Sequence, residues 1–292
     1  MNWERLRSDE MPSAIKKSRG LCVIPIGCTE KHGVHLPLGT DAIEVKAHVE
    51  LAAEIEPAVV FPTCPWLGDM TDNGNLDYFT RNHGCIALSP ETLLKVLEEL
   101  CDEIARNGFT KILFVNCHGG NIAMLDFFLR AQCYKKKSYA TMAANSYDKL
   151  ITSASAVYDY FTKNRADYPM LTDSDMQVLK TYADYPDGFG GGHGDFFETA
   201  CVMGAEPTLV NTDKLDEVSG ASTGRTFHLK AVDVKLAGGW QANHPNALSG
   251  RPSFGCTKTI GDAFNLYCAR RVAKMIKTIK EDETCVDIVN GR

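Results

Sequence analysis

Two apolar runs, each followed at once by a polar loop and a helical pattern, constrain the fold of this chain most. The runs are Leu21–Ile26 and Lys111–Val115. Short apolar runs of this kind, bounded by turn signals, are typical of fully buried strands. Strands that alternate with helices imply right-handed crossovers and a mostly parallel sheet with helices on both faces. The sequence therefore predicts an α/β fold.

Helical spacing recurs between these runs. Residues 42–56 place Ile43, Ala47 and Leu51 on one face, which predicts a helix. The sequence Ser89-Pro90-Glu91 begins another, with Ser89 as N-cap, and this helix ends near Gly108. Further strands are predicted at residues 58–61 and 139–144, and further helices at 122–133 and 259–281.

No internal repeat, low-complexity segment or linker divides residues 1–292, so we predict a single domain with long loops. Residues 62–89 form one such loop, of a length that is often functional. Residues 146–187 contain seven Tyr or Phe and are predicted to be a helical insertion or lid. The aromatic stretch from Tyr158 to Tyr185 could line a pocket for a flat or sugar-like ring. Aromatic residues in an apolar insertion are more often part of a core.

Charge and cysteine usage exclude several classes of function. The net charge is −6 and the longest basic run is Lys135-Lys136-Lys137, which argues against nucleic acid as a partner. No apolar run approaches the roughly 18 residues of a membrane span, and residues 1–7 lack the core of a signal peptide. The 11 scattered cysteines contain no C-x-x-C pair, so no disulfide framework is indicated. We expect a cytoplasmic protein.

Candidate metal ligands occur in three separate loops. Glu30, His32 and Asp41 follow the first predicted strand, and His118 follows the strand at 111–115. Glu198 lies near the start of an apolar helical segment after a glycine-rich run. The loops after parallel strands meet at the sheet's carboxyl edge, the usual ligand crevice of such folds. Carboxylates and imidazoles suit zinc, manganese or iron, so the chain is predicted to be a metalloenzyme.

Each of these residues also has a structural interpretation. Asp41 stands where a helix N-cap would stand, and His118 could be a histidine within a turn. Asn116 and Asn121 are expected to form turns or support the ligands. The glycine run fails the spacing of a phosphate-binding loop, because His193 takes the last glycine position. The remaining histidines are expected on the surface or in the core: His35, His48, His83, His228 and His244.

Three sequence blocks carry a resemblance to a known family. Residues 30–41 read EKHGVHLPLGTD, residues 116–121 read NCHGGN and residues 193–199 read HGDFFET. In order and spacing these blocks resemble the signature blocks of the creatininase (creatinine amidohydrolase) family. The similarity runs across most of the chain. The third block is the loosest, because Asp195 and Phe196 replace a Gly and a Glu that are frequent in the family.

This resemblance implies a three-layer α/β/α sandwich with a site for two divalent metal ions. Glu30 and His118 would hold one ion, His32 and Glu198 would hold the other, and Asp41 would bridge the two. His193 would lie just outside the metal ligands and move a proton. The family also implies a homo-oligomer, commonly a hexamer.

The resemblance also implies departures from creatininase, one at a metal ligand and the others on the substrate side. Gly120 stands where creatininase has a ligand Glu, and Glu198 replaces that ligand, as in other family members. Phe189 and Gly192 stand where creatininase has a Trp and a Glu that contact creatinine or assist proton transfer. The metal ligands are retained, while creatinine itself is an unexpected substrate for this chain.

The expected reaction is hydrolysis of an amide-like C–N bond in a small cyclic or formyl-bearing substrate. A hydroxide bridging the two ions would attack the carbonyl carbon, and His193 would protonate the leaving nitrogen. The same hydroxide could open a lactone or a cyclic ketone. Two other classes remain: a binding protein with this fold and no turnover, and a nucleotide-binding oxidoreductase. The oxidoreductase would need a glycine fingerprint after an early strand, where this chain has Glu and His.

Overall fold

A computed structural model describes residues 1–67 and 83–291 of the protein. The described strands form one sheet, and all neighbouring pairs are parallel. They are β1 (Leu21–Ile26), β2 (Val59–Val60), β3 (Lys111–Asn116) and β4 (Ala140–Asn145). The order across the sheet is β2-β1-β3-β4. The two runs that predicted buried strands therefore lie side by side at the centre, and the parallel α/β prediction is confirmed.

Helices surround this sheet and agree with the predicted segments to within two residues at most ends. The loop predicted at residues 62–89 falls largely on 68–82, which lie outside the described residues. Among the described helices, none is both long and apolar enough to cross a bilayer. In chain order they are α1 (Met11–Lys17), α2 (Thr40–Ile55), α3 (Pro90–Arg106), α4 (Asn121–Gln132), α5 (Ala154–Lys163), α6 (Asp173–Ala183), α7 (Phe196–Ala205), α8 (Phe227–Lys230), α9 (Gly239–Asn243), α10 (Lys258–Glu281) and α11 (Cys285–Val289).

Alternate residues of the strands pack against two different helix layers. Ile24 and Phe114 face one apolar cluster, to which α1, α3 and α4 contribute. Val23 and Val115 face the opposite cluster, which α2 and α10 complete. Because both faces are covered, every residue of β1 and β3 is buried, and the strands appear in the sequence as continuous apolar runs. The expected three-layer α/β/α sandwich is confirmed.

The start of α2 differs from its prediction. The helix begins at Thr40 with Gly39 at the N-cap position, so Asp41 is its second residue rather than its cap. The cap interpretation of Asp41 is therefore wrong, and its buried carboxylate is free to serve the site above the sheet. Ser89, in contrast, caps α3 as predicted, since its hydroxyl accepts a hydrogen bond from the Thr92 N–H at 3.3 Å.

The segment at 146–187 is helical, as predicted, and contains α5 and α6. Phe161, Tyr168 and Tyr182 are buried in a cluster with Phe196 of α7 and Phe264 of α10. These aromatic side chains form a core between the segment and the rest of the protein. The assignment of residues 1–292 to one domain, and of this segment as an insertion or lid, stays a prediction.

Helices α7 and α10 approach each other more closely than side chains would allow. A Cβ atom added at Gly261 would lie 2.0 Å from the carbonyl oxygen of Ala200, and one at Gly204 would lie 2.5 Å from the backbone of Gly261. Only glycine permits this backbone contact. The contact fixes α7 against the long C-terminal helix and thereby positions the first turn of α7, which carries Glu198.

Candidate metal centre

The loop after β1 and the start of α2 bring three predicted ligands together. The loop is tied back on itself by a hydrogen bond from the Glu30 N–H to the Leu38 carbonyl at 2.9 Å. Glu30 and Asp41 are each 1% exposed and His32 is fully buried. Charged side chains are almost never buried this deeply without a partner or a metal. The burial alone therefore marks this loop as a site.

His118 is held in place by an asparagine framework at the end of β3. The Asn116 side chain accepts from the His118 N–H at 3.1 Å and donates to the His118 carbonyl at 2.8 Å. Asn121, at the start of α4, donates its side-chain N–H to Asn116 Oδ1 at 2.9 Å. Both asparagines thus form and brace the turn, as the sequence predicts. They direct the imidazole of His118 toward the residues after β1.

Glu198 enters the cluster from the first turn of α7. Asp195 is the N-cap of this helix, and its carboxylate accepts from the N–H groups of Phe197 at 3.0 Å and Glu198 at 3.3 Å. The positive end of the helix dipole favours a carboxylate at this position. Asp195 therefore has a clear role: it holds the turn that presents Glu198.

The distances among these side chains match the edges of metal coordination shells. His118 Nδ1 lies 2.9 Å from Glu30 Oε1 and 3.3 Å from Asp41 Oδ2. His32 Nε2 lies 3.4 Å from Asp41 Oδ1 and 3.5 Å from Glu198 Oε2. Two ligand atoms held tetrahedrally on one zinc, each bonded at 2.0–2.1 Å, lie about 3.3 Å apart. The two carboxylate oxygens of Asp41 thus face two different imidazoles.

Two ligand atoms in this cluster have no hydrogen-bond partner among the described residues. They are His32 Nε2 and Asp41 Oδ2, both buried. A buried polar atom without a partner costs about 1–3 kcal/mol, and more when it is charged. Divalent cations between the imidazoles and carboxylates would satisfy both atoms. The residues present therefore fit a metal centre.

The electrostatics of the cluster favour positive charge. Burial opposes protonation of His32, yet Asp41 and Glu198 raise its pKa to about 10. Burial also opposes protonation of His118, and Glu30 raises the pKa of this imidazole above its usual range. The carboxylates thus draw positive charge to both imidazoles. A divalent cation would supply that charge and release the protons.

His193 lies beside the five clustered residues. Its ring stacks on that of His32 with centroids 4.1 Å apart, and its Nε2 is 2.9 Å from the Lys31 carbonyl oxygen. Because a carbonyl only accepts, Nε2 carries the proton and Nδ1 presents a lone pair. Nδ1 faces Glu30 Oε1 at 3.8 Å. Burial, reinforced by His32, lowers the pKa of His193 to about 4, which keeps the imidazole neutral.

The remaining histidines lie apart from the cluster, as expected. His35 and His48 are buried, and each makes polar contacts to neighbouring side chains. His35 Nε2 is 3.0 Å from the Thr199 hydroxyl, and His48 Nδ1 is 3.0 Å from the Ser146 hydroxyl. His83 and His228 are exposed and His244 is half-buried.

A cavity of about 580 Å³ opens above the cluster. Its described aromatic lining is Tyr147, Phe197 and Trp240, and the indole of Trp240 meets the His193 ring edge-on at 4.8 Å. The aromatic residues from Tyr158 to Tyr185 are absent from the described lining of this cavity. Tyr182 and Tyr185 border a separate cavity, so a ring pocket lined by this stretch stays a prediction. The described lining is Glu30, Asp41, His118, Gly119, Gly120, Tyr147, Thr152, Asp187, Gly190, Gly191, Gly192, His193, Asp195, Phe197, Glu198 and Trp240.

Sequence reasoning missed Trp240 and Cys28. Trp240 lies in the short helix α9, 47 positions beyond His193 by their numbers (240 − 193), and no local pattern connects the two. Cys28 is buried two positions before Glu30, in the loop that was singled out. Its proximity to Glu30 in the sequence was the available signal.

The buried carboxylates and imidazoles lie at the carboxyl edge of a parallel sheet, beneath a cavity. This arrangement is typical of α/β metalloenzymes. The Creatininase family, described as creatinine amidohydrolase, matches residues 4–276. The chain therefore belongs to the creatininase family, and the resemblance carried by the three sequence blocks is confirmed.

Similar proteins include enzymes with different substrates. A 2-amino-5-formylamino-6-ribosylaminopyrimidin-4(3H)-one 5'-monophosphate deformylase of Methanococcus voltae is 34% identical over 122 residues, 41% of this chain and 44% of the deformylase. The match thus spans less than half of that relative. Creatinine amidohydrolase of Pseudomonas putida is 27% identical over 67% of this chain and 69% of its own. A solved mutant creatininase of Zn-Zn type shares the fold, with a TM-score of 0.66, 21% identity, and coverage of 96% of this chain and 98% of that one.

Proposed function

We propose that the protein uses two divalent metal ions to hydrolyse an amide-like C–N bond in a small cyclic or formyl-bearing substrate. Glu30 and His118 would hold one ion, and His32 and Glu198 the other. The observation that carries the proposal is Asp41, whose two oxygens lie 3.4 Å from His32 Nε2 and 3.3 Å from His118 Nδ1. A carboxylate placed between two imidazoles in this way suits a bridge between two ions.

Zinc, manganese or iron bound here would lower the pKa of water toward neutrality and polarise the carbonyl of the substrate. The chain itself supplies rigid positions for the ligands. Asn116 fixes His118, and Asp195 fixes the turn that carries Glu198. Supporting hydrogen bonds of this kind orient metal ligands and influence their affinity about 10–100-fold. The relative of Zn-Zn type supports zinc as one native metal.

His193 is suited to carry a proton between the water and the leaving nitrogen. The Lys31 carbonyl accepts from its Nε2, which leaves Nδ1 toward the reacting groups. Stacking against His32 and the hydrogen bond to the Lys31 carbonyl hold the ring in this orientation. A neutral imidazole can accept a proton and then deliver it to the nitrogen as the C–N bond breaks.

The described lining of the cavity carries no cationic side chain for a phosphate. It includes carboxylates such as Asp187, but neither Lys nor Arg. Phosphate recognition relies on Arg, Lys or free backbone N–H groups, so among the described lining only backbone N–H groups could serve a phosphorylated compound. The two relatives act, by their names, on a formylamino nucleotide and on creatinine. We therefore expect a cyclic amide or formamide without a phosphate.

The test combines metal analysis with a substrate panel. We expect elemental analysis of the purified protein to find about two divalent ions per chain, and chelation to abolish hydrolysis until metal is restored. The panel should contain cyclic amides, formamides, lactones and cyclic ketones, each with and without a phosphate. A protein that binds no divalent ion, even when metal is added, would contradict the proposal. A metal-loaded protein that binds panel compounds without turnover would favour the binding-protein alternative.

Trp240 is expected to affect substrate binding more than the chemical step. Its indole borders the cavity, and a planar substrate stacked on such a ring gains about 0.5–1.5 kcal/mol. Trp240→Ala should therefore raise KM about two- to twelvefold while kcat changes less. Steady-state kinetics on the best panel substrate measure both constants.

Two control variants make this measurement specific. Trp240→Phe keeps an aromatic face and should retain most of the affinity. Tyr185→Ala removes an aromatic residue that lies outside the described cavity lining, and it should leave KM unchanged. An equal rise in KM for the Trp240→Ala and Tyr185→Ala variants would contradict a direct contact between Trp240 and substrate.

A further inference from the structure

Cys28 belongs to a group of four residues that could supply all four ligands of one tetrahedral metal ion. Its Sγ lies with a ligand atom from each of Glu30, Asp41 and His118, and these four atoms are all within 4.8 Å of one another. All four residues are buried. Sulfur, nitrogen and carboxylate oxygen are the donor atoms found in tetrahedral zinc sites. The group thus contains one donor more than the ligand set inferred from the sequence.

The burial of Cys28 could also be explained by packing alone. Cys28 is fully buried and contacts Ala247, with the half-buried Cys85 at the edge of this small cluster. A free thiol often serves as a small apolar side chain in such a position. Packing alone, however, does not require three metal-ligating side chains around the sulfur. Asp41 belongs to the same group, and its Oδ2 has no hydrogen-bond partner among the described residues.

We propose that Cys28 is a direct ligand, as a thiolate, of the ion that Glu30 and His118 hold. This inference rests on the proposed metal centre. On binding, the thiol would lose its proton to solvent and the sulfur would form a bond to the ion. Thiolate is a soft ligand that suits zinc or cobalt, whereas manganese prefers oxygen. Cys28 therefore makes the two metal positions unequal, with one selective for a thiophilic ion.

Cobalt substitution tests the sulfur ligand by spectroscopy. The metal-free protein is loaded with Co²⁺, and its near-ultraviolet spectrum is recorded together with the visible bands of bound cobalt. We expect a sulfur-to-cobalt charge-transfer band in the unmodified protein and its loss in Cys28→Ser, while the visible bands persist. Cys85→Ser is the matched control, because Cys85 borders the same cluster but is absent from the ligand group. It should keep the band.

Cys117 needs its own control because it precedes His118. Its thiol donates to Glu44 Oε2 at 3.1 Å, and neither Cys117 nor Glu44 belongs to a candidate ligand group among the described residues. Cys117→Ser should retain the charge-transfer band. If the band is lost in Cys117→Ser and kept in Cys28→Ser, the sulfur ligand is Cys117 and the proposal is wrong.

A measurement on the unmodified protein covers the case in which Cys28→Ser fails to fold. X-ray absorption of the zinc-loaded protein should contain a sulfur shell at about 2.3 Å, the usual zinc–sulfur bond length. If zinc or cobalt is bound with only oxygen and nitrogen neighbours, Cys28 is not a ligand. That result would not contradict the proposed dinuclear centre. Failure of the protein to bind cobalt or zinc at all would overturn both.

Metal competition adds a quantitative readout. Removing even a supporting partner of a ligand changes metal affinity about 10–100-fold, and a direct ligand should matter at least as much. Cys28→Ser should therefore lower the ratio of zinc to manganese affinity by about tenfold or more at one position. An unchanged ratio would contradict a bond between Cys28 and the ion.

Discussion

Replacing Asp41 by asparagine is expected to remove tight binding of both metal ions and to lower kcat/KM by about 10³-fold or more. Asparagine keeps the volume of the side chain but loses the charge and one of the two ligand oxygens. Both positions of the proposed centre share Asp41, so both lose affinity. Metal ions contribute several kcal/mol of transition-state stabilisation, and each 1.36 kcal/mol corresponds to a factor of ten. Elemental analysis and steady-state kinetics measure the two effects.

Glu44 provides a matched control for this substitution. It lies on the same helix, α2, and is equally buried, and it accepts from the Cys117 thiol at 3.1 Å. Burial raises the pKa of Glu44 well above its usual range, which favours the neutral form of its carboxyl group. Glu44→Gln should therefore retain both ions. Equal metal loss in the Asp41→Asn and Glu44→Gln variants would indicate a general disturbance of α2, and a bridging role for Asp41 would be contradicted.

The sheet and its ligand loops could be predicted because local sequence determines them. β1 and β3 are apolar at every position only because both faces of the sheet are covered, and this made them visible as continuous runs. Parallel neighbours then bring the loops with Glu30 and His118 to one edge. The chemistry of the side chains in those loops predicted a metal site without further information.

Long-range packing could not be predicted in the same way. The aromatic residues at 158–185 gave no sign of which surface they face, and the structure places Phe161 and Tyr168 in a core. Trp240 reaches the cavity from a segment far away in the sequence. Asp41 had two local interpretations, and the choice between them depended on Gly39 taking the cap position. In each case the deciding contact joins residues that no periodic pattern connects.

The departures from creatininase that the resemblance implies also depend on long-range packing. The resemblance places Phe189 and Gly192 where creatininase has a Trp and a Glu, and Phe189 is buried in the aromatic core rather than at the cavity. Trp240 instead supplies an indole beside His193, from the C-terminal side of the chain. The aromatic surface beside His193 therefore comes from α9 and not from the segment that contains Phe189. Substrate preference cannot be transferred from creatininase by matching positions.

Replacing His193 by alanine is expected to lower kcat by about 10²–10⁴-fold while both metal ions remain bound. The proposed ligand set does not include His193, and its Nδ1 is 3.8 Å from Glu30 Oε1. The loss would therefore come from the proton transfer to the leaving nitrogen. Pre-steady-state kinetics measure the rate of the chemical step, and elemental analysis measures the bound metal. Together they distinguish slower proton transfer from loss of metal. A panel substrate with a better leaving group depends less on protonation of that group. For such a substrate, the difference in kcat between His193→Ala and the unmodified protein should be smaller.

His244→Ala is the matched control, since His244 also contacts Trp240, with ring centroids 5.3 Å apart, but lies outside the described cavity lining. This variant should keep kcat within a few-fold. His193→Gln retains hydrogen-bonding groups but cannot carry a proton at neutral pH, so its kcat should fall nearly as far as that of His193→Ala. Recovery of most activity in His193→Gln would contradict proton transfer and assign the residue to substrate orientation. Loss of metal in either His193 variant would instead make His193 a ligand, which its position among Glu30 and His32 also permits.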